Sequence, residues 1–131
     1  MVDAISIASS GLMALDQGLS ATASNIANAG TTGALPTAQS PASTVYKPLT
    51  VNYTSQADGG VSAEVSANQS YSPAYDPSSA YANAQGLIAA PNVDLAQEMV
   101  NLIETKISYK ANVDVIKTQN EMTDELLNTI A

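Results

Sequence analysis

The chain has 131 residues, with 12 Asp and Glu against four Lys and no Arg, for a formal charge of −8 at neutral pH. That balance repels phosphate backbones and anionic membrane surfaces and argues against nucleic acid as a partner. The absence of Cys and His removes disulfides, thiolate metal sites, iron-sulfur clusters and the commonest general base.

There is no Phe and no Trp, and much of the apolar content is Ala, so any core is thin. Burial contributes only about 25 cal/mol per Å² of apolar surface, which predicts a marginal isolated chain that gains from neighbouring subunits. The opening Met1-Val2-Asp3-Ala4-Ile5-Ser6 lacks the basic flank and apolar run of a secretory signal. No stretch of about 20 apolar residues offers a membrane span. If the protein leaves the cytoplasm, it must use a route without a cleaved signal, and no direct membrane insertion is expected.

The first element is an amphipathic helix from about Asp3 to Ala29. Ile5, Ala8, Leu12, Leu15, Leu19, Thr22 and Ile26 recur at three-and-four spacing. Asp3 is placed to cap its start, and Gly30 to supply a permissive backbone just past its end. Gly11 and Gly18 inside it signal either close helix approach or a weak helix.

Thr31 to Thr44 is Thr, Ser, Ala, Gly and Pro with a single Leu, and reads as a linker or extended arm. Val45, Lys47, Leu49, Val51 and Tyr53 then alternate with more polar neighbours, as do Val61, Ala63, Val65 and Ala67 beyond Asp58-Gly59-Gly60. This predicts a β-hairpin, with Pro48 confining the first strand to an edge or bulge. From Tyr71 to Pro91 the sequence reads as irregular, with turns at Ser72-Pro73, Asp76-Pro77 and Gln85-Gly86.

The last element is a long helix from Asp94 to Ile130, with Asp94 as cap, Gln97 three residues on and Pro91 just outside. Leu95, Met99, Leu102, Lys106, Tyr109, Val113, Ile116, Asn120, Thr123, Leu127 and Ile130 continue the heptad pattern. A second row, Ala96, Val100, Ile103, Ile107 and Ala111, widens the apolar face. Two coverings are open for it: the hairpin and central segment of the same chain, or another subunit. The fold class that follows is mainly α with a small β-hairpin, the terminal helices paired as an antiparallel coiled coil around a short β and irregular middle. The divisions fall at residues 1–30, 31–91 and 92–131.

Parts for catalysis are missing. Asp94 and Glu98 lie one turn apart, but acids at a helix start complement its positive end. Ser9, Ser10 and Ser24 have no histidine to activate them, and neither a nucleophile elbow nor a phosphate-cradling or dinucleotide-binding glycine loop occurs. Lys106 and Lys110 read as exposed charges or partners for Glu. Tyr71, Tyr75 and Tyr81 read as anchors of a Pro-rich linker or as a ligand-stacking surface. No cofactor, metal or enzymatic activity is expected.

The stretch Ser20-Ala21-Thr22-Ala23-Ser24-Asn25-Ile26-Ala27-Asn28-Ala29 closely resembles the N-terminal signature of bacterial flagellar axial proteins, the rod and hook components. The C-terminal counterpart resembles the same family through Asn92-Val93-Asp94-Leu95, Glu98-Met99-Val100-Asn101-Leu102-Ile103, Ser108-Tyr109-Lys110-Ala111-Asn112-Val113 and Val115-Ile116-Lys117-Thr118. The short middle, with Tyr75-Asp76-Pro77, Gly86 and Pro91-Asn92-Val93, is most similar to proximal rod members. Hook and distal rod proteins share the terminal motifs.

The resemblance implies a structural rod component exported through the flagellar type III apparatus, assembling with itself and other rod proteins into a periplasm-spanning shaft that transmits torque. It implies an assembly motif at Ser24, Asn25, Ile26, Ala27 and Asn28. The packing residues expected are Ile5, Leu12, Leu15, Leu19, Leu95, Met99, Leu102, Ile103, Tyr109, Val113, Ile116 and Leu127. Rival readings are a cytoplasmic coiled-coil adaptor and a wall-cutting hydrolase; the hydrolase would need an acid pair in a cleft.

Overall fold

The computed structural model of the protein describes residues 3–38 and 43–130. In chain order the elements are α1 (Ala4–Asn28), β1 (Leu49–Ser55), β2 (Val61–Ala67), β3 (Tyr71–Tyr75), β4 (Leu87–Pro91) and α2 (Leu95–Ile130). The strands form two separate two-stranded sheets, β1 with β2 and β3 with β4. The mainly helical class and the hairpin over 49–67 agree with the sequence reading.

Both helices begin as their capping residues dictate. Asp3 Oδ1 accepts the Ile5 N–H at 3.1 Å, and Asp94 Oδ1 accepts the N–H groups of Ala96 and Gln97 at 2.9 and 3.2 Å. The end of α1 departs from expectation, because Gly30 does not take a left-handed backbone. Instead the Asn28 carbonyl accepts both the N–H and the hydroxyl of Thr31, and Asn28 Nδ2 donates to Ser24 O at 2.9 Å. Side chains thus satisfy carbonyls that a glycine-based motif would otherwise have covered.

The chain divides into two compact units. One comprises Met1–Ser20, Val51–Val65 and Val100–Ala131; the other comprises Ala21–Thr50 and Ser66–Met99. Within the first, Ala8, Gly11, Ala14 and Gly18 are the buried positions of α1. Small residues there let neighbours approach closely. Asn112 lies where a side chain on Gly11 would stand, and the Tyr53 hydroxyl fills the place of one on Gly18. Close approach, one of the two readings of these glycines, is what the packing uses. The hairpin tip docks on the same part of α1: Val61 N–H donates to Ser10 Oγ at 3.1 Å, and Ser10 Oγ donates to Ile7 O at 2.7 Å.

The second unit holds most of the buried apolar side chains, namely Ala21, Val45, Ile88 and Ala89. Its sheet was not expected from sequence. β3 pairs antiparallel with β4 in the register Tyr71↔Pro91, Pro73↔Ala89 and Tyr75↔Leu87. Ser72-Pro73 is therefore not a turn. Ala89 directs its N–H and C=O to Gly33, at 2.8 and 2.9 Å, so the opposing Pro73 occupies a position where no ladder bond is required of it. The turn over Asp76–Gly86 closes where Gly86, at φ 74°, slips beneath Tyr75 and Pro77.

Gly33 also revises the linker reading. It is buried between the backbones of Ala89 and Val45, and Ser43 and Thr44 bond back to Ala34 at 2.9 Å. The two ends of the segment are thus fastened by a backbone pair with Ala89 and by side-chain hydroxyls on the Ala34 backbone, contacts that its weak hydrophobicity did not advertise. Residues 39–42 of that stretch lie outside the described residues.

Candidate assembly site

Asn25, in the last turns of α1, is 2% exposed and carries the largest fully buried side chain among the described residues. Its amide makes every hydrogen bond available to it. Nδ2 donates to Leu49 O at 2.8 Å and to Glu98 Oε1 at 2.6 Å; Oδ1 accepts from Leu49 N–H at 2.7 Å and from the Tyr46 hydroxyl at 3.0 Å. A primary amide offers two donors and two acceptor lone pairs, so its needs are met in full. Towards Leu49 it behaves as a neighbouring peptide would, presenting one donor and one acceptor side by side.

Burial raises the pKa of Tyr46 above the usual phenol value, a hydrogen bond with Ser24 opposes the shift, and the nearby charge of Glu98 adds to it. Neutral Tyr46 can keep donating to Asn25. The five residues of the expected assembly motif thus occupy different places. Asn25 is an internal anchor, Ser24 and Asn28 are joined through the helix end, Ile26 is half-buried and Ala27 is exposed. The roles of Tyr46 and Leu49 escaped sequence reasoning, since nothing in the pattern around Val45 to Tyr53 marks a partner 24 residues earlier. Glu98 stood out as a helix-start acid and as part of the C-terminal motif, not as a partner of Asn25.

The expected packing residues lie mostly open. α2 runs 36 residues without one buried side chain. Met99 is 58% and Ile107 65% exposed; Leu95, Leu102, Ile103, Tyr109, Val113 and Leu127 are exposed as well, and Ile116 is half-buried. The half-buried positions of α2 are instead mainly polar: Glu98, Asn101, Thr105, Asn112 and Gln119 beside Ile116. On α1, Ile5, Leu12 and Leu15 are half-buried and Leu19 is exposed. The inner seam expected along the large residues of both helices is therefore displaced, because small and polar side chains permit the closer approach. The second apolar row, Ala96, Val100, Ile103, Ile107 and Ala111, is exposed throughout, which removes the reading in which the same chain covers it.

Among the described residues no group of three or more acidic side chains is placed to hold a metal, and no helix is long and apolar enough to cross a membrane. Tyr71, Tyr75 and Tyr81 are exposed on the β3–β4 hairpin and its turn.

Comparison with known proteins fits this geometry. Residues 5–34, which contain nearly all of α1 and its exit, match the family described as Flagella basal body rod protein; residues 84–129, with β4 and nearly all of α2, match Flagellar basal body rod FlgEFG protein C-terminal. Flagellar basal-body rod protein FlgC of Salmonella typhimurium is 34% identical over 131 residues, spanning 93% of this chain and 92% of that protein. The FlgC of Escherichia coli O6:H1 is 37% identical over 130 residues with the same coverage. The chain belongs to the flagellar basal-body rod protein family. Its role is that of a structural rod component. Flagellar hook protein FlgE of Escherichia coli K12 is 42% identical over 43 residues, but these are only 11% of that protein. The rod family's likeness runs nearly end to end, whereas the hook protein shares one segment.

Proposed function

We propose that this rod protein polymerises through its terminal helices, residues 1–30 and 92–131, into the periplasm-spanning shaft that carries torque, with residues 31–91 forming an outer arm. The carrying observation is α2: a 36-residue helix with no buried side chain and an exposed apolar face along its length. Helices in water draw most of their stability from packing such a face. Sister molecules and other axial proteins supply that packing. The function is mechanical and involves no turnover.

Antiparallel pairing of the two helices within the chain is part of the proposal. In one unit Gly11 lies against Asn112, and in the other Asn25 bonds Glu98. The two α1 positions are 14 residues apart and so are their α2 partners, in the opposite order. Export through the flagellar type III apparatus suits a Cys-free chain with a thin core, because little has to be undone for it to be threaded.

Glu substitution of Ile103 and Ile107 together tests the proposal. The purified variant should keep its far-UV circular dichroism and melting temperature, since neither side chain is buried in the free protein. Cells carrying it should lack complete rods in isolated basal bodies and should not swim. Normal swimming with complete basal bodies would overturn the reading.

A further inference from the structure

We propose that Asp58, at the tip of the β1–β2 hairpin, is a site of spontaneous covalent modification, converting through a cyclic imide to isoaspartate and thereby releasing the tip from α1. Ring closure needs a carboxyl next to an unhindered backbone nitrogen. Of the seven Asp residues, only Asp58 is followed by Gly, and no Asn is. Gly59 has no side chain to block the attack and stands at φ 87° in an exposed turn. The Asp58 side chain is already folded back over the following backbone, with Oδ1 accepting the Gly60 N–H at 3.3 Å. The Gly59 N–H donates to Gln56 O at 3.0 Å, a solvent-exposed turn bond that opens as loop tips do.

The chemistry balances without a co-reactant. The Gly59 nitrogen bonds to Asp58 Cγ, and the carboxyl hydroxyl leaves with the amide proton as water. Water then re-enters at either ring carbonyl. Attack at Cγ restores aspartate; attack at the main-chain carbonyl breaks the original peptide linkage and leaves the chain running through Cβ and Cγ, with a free α-carboxylate. A shallow cavity of about 100 Å³ lined by Ser6, Ile7, Ser10, Gln56, Asp58 and Gly60 admits that water.

The product carries one extra methylene in the main chain at the point where the turn is tightest. The bond from Gln56 N–H to Gly60 O, 2.7 Å long, cannot survive that insertion, nor can the close seat of Gly60 and Val61 on Ser10. The consequence is a hairpin tip detached from the first half of α1.

The full-length protein is aged at neutral pH and 37 °C, then assayed by isoaspartyl methyltransferase labelling and mass-resolved peptide mapping. Label should accumulate at Asp58 ahead of every other Asp. It should be lost in Asp58→Glu, whose larger ring closes far more slowly, and should appear faster in Asp58→Asn with the mass change of deamidation. Aged material should also exchange the Val61 amide faster than fresh material. Label spread evenly over the Asp positions, or absent at Asp58 while a short peptide of the same sequence converts, would overturn the proposal. Conversion with an unchanged Val61 amide would overturn the release.

Discussion

At the scale of single residues, Asn25 and the buried glycines make the sharpest demands. Asn25→Leu removes four hydrogen bonds and strands both polar atoms of Leu49 beside the Glu98 carboxylate. Leaving such groups unmet costs about 1–3 kcal/mol each, so a loss of about 3 kcal/mol or more is expected in chemical denaturation. Asn25→Asp should be worse at neutral pH, because it sets a second carboxylate against Glu98. The glycines separate by what opposes them. Gly33→Ala meets the Val45 backbone, 2.5 Å from Val45 N, and should cost about 3 kcal/mol. Gly18→Ala meets the Tyr53 hydroxyl, which outweighs the roughly 1 kcal/mol of helix propensity gained. Adding Tyr53→Phe should recover part of that loss. Gly11→Ala meets only the end of the Asn112 side chain, which can swing aside, and should be nearly neutral. Tyr46 supplies an alkaline limit: its pKa is raised in the folded chain by burial, so its contribution is whole below about 10 and is lost as the pH rises through the folded value. Tyr46→Phe should flatten that limb of the pH–stability curve.

At the scale of elements, α2 is the least secured. Every residue from Asn120 to Ile130 is exposed, so amide exchange in the free protein should be fastest there and slower towards Asn112. Incorporation into rods should protect the whole helix; exchange that stays fast in assembled basal bodies would count against a packed α2. The helices were legible in sequence to within a residue or two, because capping by Asp3 and Asp94 and unbroken three-and-four spacing depend on near neighbours. The side of each helix facing inward was not. The large residues Leu12, Leu15 and Leu19 advertise a seam more loudly than Gly11, Ala14 and Gly18, yet the packing closes over these small ones and over Ala8, the small member of the predicted stripe. The β3–β4 hairpin escaped for a related reason: Pro73 reads as a turn until Ala89 is seen to spend its hydrogen bonds on Gly33, a partner 56 residues away. Long-range main-chain pairing leaves no periodic trace. The anchor at Asn25 was visible as part of a motif, but its work as an internal amide, with Tyr46 and Glu98, depends on contacts over 21 and 73 residues.

At the scale of the whole molecule, four of the six buried apolar side chains among the described residues are Ala, while many large apolar groups lie outside. The free protein should therefore bind an apolar dye and melt at modest temperature, and both signs should disappear when it enters a rod. A free chain that ignores the dye and resists proteolysis as well as rods do would argue that the exposed face has no part in assembly. Acidic groups are spread along the chain from Asp3 to Glu125, so moderate salt should raise the melting temperature by screening their mutual repulsion. The hold of Asn25 on Leu49 reaches beyond stability. Because a single amide takes both polar atoms of one residue, the phase of β1 is fixed at its first residue. Sliding by one position would offer Thr50 in place of Leu49 and turn each later side chain to the opposite face. The end of a helix thus serves as an index mark for a sheet. Extra residues inserted between Thr37 and Ser43 leave that mark untouched, whereas one inserted just after Leu49 moves the whole hairpin out of phase with it.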